Sequence, residues 1–200
     1  LYRMALRDNP ARPAVGEARE ALSGDATIEY RVSGPKTGAP VLLFPSFARS
    51  AADFNELIGV LVQAGFHTLA VQPRGVEGSS LPPGEFTYHT YAGDLVAVLD
   101  AEGVRVPAHV IGHAYGNRIA RTFATDHPER TRAVVLLAAG GVDPTPPAVT
   151  EAIGKAMINA YPETDRREAV AFAFFAEGNA VDEDWMRGWY PRAGLAEQAA

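Results

Sequence analysis

The sequence has no cysteine, which excludes disulfides, thiolate metal sites and a cysteine nucleophile. Lysine is almost as scarce, with only Lys36 and Lys155, so arginine carries nearly all the positive charge. The balance is acidic, with a net charge of −6 and a pI near 5.4. Nucleic acid is therefore not an expected partner, because phosphate binding wants a basic face. No apolar run approaches the roughly 20 residues of a membrane helix, and the first residues are too charged for a signal peptide. No membrane partner is expected, and the expected location is cytoplasmic. No two histidines sit four apart beside a carboxylate, so no metal site is expected, nor any cofactor. What is present is 47% hydrophobic and 21% charged residues over 200 positions. That is enough for one domain with a substantial core.

The first 25 residues, rich in Ala, Arg and Glu, are expected to form an arm with a short helix over Glu17 to Leu22. From Ala26 the texture changes. Thr27 to Val32 alternates apolar and polar, as in a half-buried strand. Pro40 to Pro45 is continuously apolar, as in a strand buried on both faces. Phe54, Leu57, Ile58, Leu61 and Val62 follow helical spacing, closed by Ala64-Gly65. Strands are predicted over 67–72, 107–111 and 132–138, and helices over 88–101 and 116–126. This alternation implies βαβ units and a mainly parallel sheet with helices on both faces. Beyond the proline-rich 144–147 stretch, helices are predicted over 149–160, 165–176 and 182–190, with no further strand. The division is thus an arm at 1–25, an α/β core at 26–144 and a helical segment at 145–200.

The most informative stretch is Val110-Ile-Gly-His-Ala-Tyr-Gly-Asn-Arg118, where a buried strand runs through Gly-x-Ala-x-Gly straight into a helix. Two glycines around a crowded centre let a strained turn lift one side chain above the sheet. The helix behind it aims a partial positive charge at the same spot. Here the chain resembles the α/β-hydrolase superfamily, and three further segments agree. Val41 to Phe47 resembles the strand and oxyanion loop. Gln72-Pro-Arg-Gly75, with Gly78-Ser79 beyond it, resembles the loop after the next strand. His127-Pro-Glu-Arg130 with Val134 to Leu137 resembles the helix end and strand that follow the elbow. The resemblance covers about Ala26 to Gly141. It implies an α/β-hydrolase fold, seen here without its last strands and with part of a helical cap.

The departures from the family pattern bear on chemistry. Ala114 stands where the family has serine, and a methyl group cannot attack a carbonyl. Pro45 and Ser46 replace the usual His and Gly of the oxyanion loop, and Gln72 replaces the usual Asp. The family's acid and histidine would be expected beyond position 200, so no residue here is catalytically competent by the usual route. The resemblance implies an oxyanion hole from the backbone N–H groups of Phe47 and Tyr115, which do not depend on side-chain identity. Ser46, Arg74 and His113 are candidates to line a ligand pocket, although a turn-shaping, ion-paired or packing role is the commoner fate of each type. Arg118, in a helix's first turn, is expected to have an acidic partner. The cap aromatics Phe172, Phe174, Phe175, Trp185, Trp189 and Tyr190 are read mainly as the cap's own core.

Two functional readings follow. One is a hydrolase-family protein resembling ester- or lactone-type hydrolases of small apolar carbonyl compounds, without the serine. The other is a sensor-like protein that keeps the pocket and binds a small molecule without turnover. An engineered serine-to-alanine change would also account for Ala114. The additional departures at Pro45, Ser46 and Gln72 favour natural divergence. Oligomeric state is not readable from the sequence.

Overall fold

The alternating segment becomes β2 (Ala26–Ser33), in which every other residue is buried. The continuous apolar runs become β3 (Pro40–Phe44) and β4 (His67–Val71), buried at every position. This computed structural model describes residues 8–10, 12–140 and 144–198. β1 (Glu17–Ser23) precedes these strands, and β5 (Ala108–His113) and β6 (Thr131–Leu137) follow them. They form one six-stranded sheet in the order β1-β2-β4-β3-β5-β6. β1 and β2 are antiparallel additions, and β4, β3, β5 and β6 run parallel.

The helix expected over Glu17 to Leu22 is instead β1, paired along its whole length with β2. Helical propensity in that Ala- and Glu-rich stretch lost to a ready-made neighbour, since Gly24 takes the left-handed φ of 59° that closes the hairpin. Part of the expected arm is therefore sheet.

Three crossovers between parallel strands carry helices α1 (Asn55–Gln63), α2 (Tyr88–Ala101) and α3 (Gly116–Asp126). α2 begins at a Thr87 capping box with Thr90. Ile58 of α1 packs with Val41, Leu43 and Ala70, whereas Leu95 of α2 and Ile119 of α3 pack with Leu42, Phe44 and Leu69. Consecutive residues of β3 and β4 thus enter two separate clusters, one on each face. Burial of these aliphatic and aromatic side chains, at about 25 cal/mol per Å² of apolar surface, is the main stabilising term.

After β6 come α4 (Pro147–Met157), α5 (Glu163–Phe174) and α6 (Pro191–Gln198). The third helix was expected over 182–190, but only a 3-10 turn, Glu183–Met186, forms there. Gly188 at φ 77° interrupts it, and Pro191 restarts a helix where its missing N–H costs nothing. Ala156, Met157, Val170, Met186 and Trp189 make a satellite core that includes Ala48 of the sheet domain. Among the described residues no helix is long and apolar enough to cross a membrane.

Candidate functional site

The chain leaves β3 for β4 on one side, then returns past β3 to form β5 on the other. Loops at the C-terminal ends of β3 and β5 therefore diverge, and such a switch point opens a crevice. The crevice is a cavity of about 270 Å³. Ser46 and Phe47 from the β3 loop, Ala114 and Tyr115 from the β5 turn, Ile153 from α4 and Phe174 from α5 line it.

The β5 turn has the strain its sequence implies. Ala114 sits at φ 47°, a left-handed conformation that costs an L-residue about 1–2 kcal/mol. Close packing over-determines it. A Cβ on Gly112 would run into the Gly116 carbonyl, and one on Gly116 would run into the Phe44 carbonyl. The turn is tied to β6 by Ala114 N–H donating to Leu137 O at 2.9 Å. The buried Asn117 donates its Nδ2 to the same oxygen at 2.8 Å. Sequence reasoning passed over Asn117. Its position on the buried stripe of α3 is the signal that marks it.

Tyr115 is held by edge contacts to the rings of Phe47, Tyr88 and Tyr91 at 5.9, 5.8 and 6.4 Å. Burial pushes its phenol far above the usual range, so it stays protonated. Among the described residues, neither the Phe47 nor the Tyr115 backbone N–H donates to another group. Both belong to residues that line the cavity, at the N-terminal end of α3. That end carries the positive pole of the helix dipole. The described residues lining the cavity include no histidine and no carboxylate. Arg118 and Arg121 are also among the residues that line it.

Of the three side chains expected to line the pocket, the structure brings only Ser46 to Ala114. His113 faces a second cavity of about 290 Å³ with Arg49, Asp53 and Trp185. Burial lowers the pKa of its ring. Arg74 is buried in a two-bond ion pair with Asp94, Nε–Oδ2 2.8 Å and Nη2–Oδ1 2.7 Å, and its guanidinium lies over Phe86. Asp94 lies twenty residues downstream on another element, so no local pattern announced the pair. Gln72 is also buried, and its Oε1 accepts from Ala51 N at 2.9 Å. Arg118 has no acidic partner among the described residues. It donates to Tyr88 Oη at 3.0 Å, because the first turn of α3 faces the aromatic end of α2.

The cap aromatics divide. Phe174, Trp185 and Trp189 form one stack, with centroids 5.1 Å and 5.5 Å from Phe174. Phe174 also reaches the cavity, and Phe172 is exposed.

Comparison with known proteins agrees with this fold. Residues 39–198 match the model of the alpha/beta hydrolase fold. The chain belongs to that family. It is 31% identical over 176 residues to rhodomycin D methylesterase DauP of Streptomyces, covering 84% of this chain and 58% of that one. It is 36% identical over 100 residues to epoxide hydrolase B of Mycobacterium tuberculosis, covering 49% of this chain and 28% of that one. The esterase RhEst1 from Rhodococcus superposes with a TM-score of 0.73 at 27% identity, over 90% of this chain and 72% of that chain. The chain thus spans less than two thirds of the length of these curated relatives.

Proposed function

We propose that the cavity takes small apolar carbonyl compounds of ester or lactone type and binds them without a covalent step at position 114. One observation carries this reading. Two backbone N–H groups, on Phe47 and Tyr115, have no acceptor among the described residues, and both residues line one cavity with the methyl group of the strained turn at Ala114. A carbonyl oxygen is the ligand atom that satisfies two such donors, while Ile153, Phe174 and the ring of Phe47 take the apolar remainder. Ala114 leaves the donors in place and removes the attacking oxygen. The lining also holds no base among the described residues, so binding is favoured over hydrolysis. Resemblance to a methylesterase and an esterase supports the carbonyl class.

Trp185 and Trp189 stack on the cavity residue Phe174, so tryptophan fluorescence reports occupancy. p-Nitroacetophenone is expected to quench it with at least about tenfold higher affinity than p-nitrotoluene, which lacks the carbonyl. Two net hydrogen bonds of roughly 1 kcal/mol each are worth that ratio. Equal affinities would refute carbonyl recognition. The unaltered protein is expected not to turn over p-nitrophenyl butyrate, and rapid turnover would favour a hydrolase that works without serine. Ala114→Ser restores an attacking hydroxyl, and release of p-nitrophenol above the parent's rate would place it at the bound carbonyl.

A further inference from the structure

Ala48, next to Phe47, has no exposed surface and sits at φ 53°. Both its backbone polar groups are taken by the segment around α6. Its N–H donates to Glu197 Oε2 at 2.6 Å, and its carbonyl accepts from Tyr190 N at 3.0 Å. The elbow meets the same residue, because Tyr115 Oη donates to the main-chain oxygen of Glu197 at 3.3 Å. The approach is close, since a Cβ on Gly194 would crowd Ala48 and the Phe47 ring. One residue therefore touches the neighbour of one candidate donor and the side chain of the other.

We propose that Glu197 is a positioning residue for the carbonyl-oxygen site, bracing the β3 loop through Ala48 and the elbow through Tyr115. This rests on the reading of the Phe47 and Tyr115 N–H groups as the oxygen's donors. The carboxyl is buried, and its second oxygen has no partner among the described residues. The titratable groups that face it are the phenols of Tyr115 and of Tyr91 on α2, and no cation among the described residues does so. Burial pushes it up to about 8, against the opposing pull of the Ala48 N–H. Burial thus favours its protonated form at neutral pH. In that form it accepts from Ala48 without placing a negative charge behind the β3 loop. Ionisation would bury an uncompensated charge at the contact between α6 and that loop and disturb the loop's position.

The test compares the unaltered protein with Glu197→Gln and Glu197→Ala by amide hydrogen exchange and by p-nitroacetophenone titration. Protection of the Ala48 amide is expected to survive in Glu197→Gln, whose carboxamide oxygen still accepts. It is expected to fall at least about tenfold in Glu197→Ala, while the amides of α3 keep theirs. Affinity for p-nitroacetophenone is expected to decline above about pH 8 in the unaltered protein and to stay flat in Glu197→Gln. Equal Ala48 protection in all three proteins overturns the proposal. Should Glu197→Ala not fold, identical pH profiles for the unaltered protein and Glu197→Gln overturn it instead. If p-nitroacetophenone binds none of them, the carbonyl reading fails, and Ala48 exchange still decides the role of Glu197.

Discussion

The loop after β4 and the loops after β3 and β5 all leave the same edge of the parallel sheet, yet they differ in what they leave unpaired. After β4, polar side chains pair with one another beside an open hollow of about 480 Å³ that Arg74 helps to line. Arg74 pairs with Asp94, and Gln72 accepts from Ala51. Ser79 donates to the Gln72 carbonyl at 2.8 Å and accepts from Glu29 N. After β3 and β5 the chain diverges at the reversal of strand order, and the donors left over are backbone N–H groups. A polar residue at a strand's C-terminal end therefore faces this crevice only where topology keeps the loops apart.

The comparison can be broken most forcefully at Arg74. Asp94→Ala strands a buried guanidinium, and loss of one partner of such a pair costs about 3–5 kcal/mol. Urea unfolding is expected to show that loss, with p-nitroacetophenone affinity nearly unchanged. A comparable drop in affinity would mean that the β4 loop belongs to the site.

A smaller effect follows from Glu197. Its folded pKa, about 8, lies above the ordinary value of 4.5, so the native state holds a proton that the unfolded chain releases. Stability contributed by this group is full below about pH 4.5 and declines as pH rises towards 8. The melting temperature is expected to fall from pH 5 to pH 8.5, and Glu197→Gln is expected to flatten that slope. A parallel slope in both proteins would assign the pH dependence elsewhere.

The smallest effect is at the elbow. Ala114→Gly relieves the cost of φ 47° but adds glycine's chain entropy, for a net gain of about 0.5–1 kcal/mol. Calorimetry is expected to show a slightly higher melting temperature. A decrease would show that the methyl group packs usefully in the cavity.

Much of the fold was legible before the structure. The limits of α2 and α3 coincide with their apolar spacing, and the strand-turn-helix around Ala114 follows from Gly112 and Gly116. β1 was not legible, because its Ala, Arg and Glu residues favour a helix locally and only pairing with β2 makes them a strand. The helix expected at 182–190 failed for the converse reason. Its apolar residues serve a packed aromatic cluster, while Gly188 and Pro191 set where the chain turns. Within the site, Phe47, Ala114, Tyr115 and Ser46 do converge. Arg74 and His113 do not, since one found Asp94 and the other faces the second cavity.

Sequence alone determined the elements whose causes are local: the alternation of β2, the apolar β3 and β4, and the glycine-flanked turn around Ala114. Only the tertiary structure decided which charged residues pair and which side chains share the cavity. It also placed Glu197, 149 residues from Ala48, against the loop after β3. Such contacts depend on where distant elements meet and on which groups are left without water, and neither is written in the spacing of neighbouring residues.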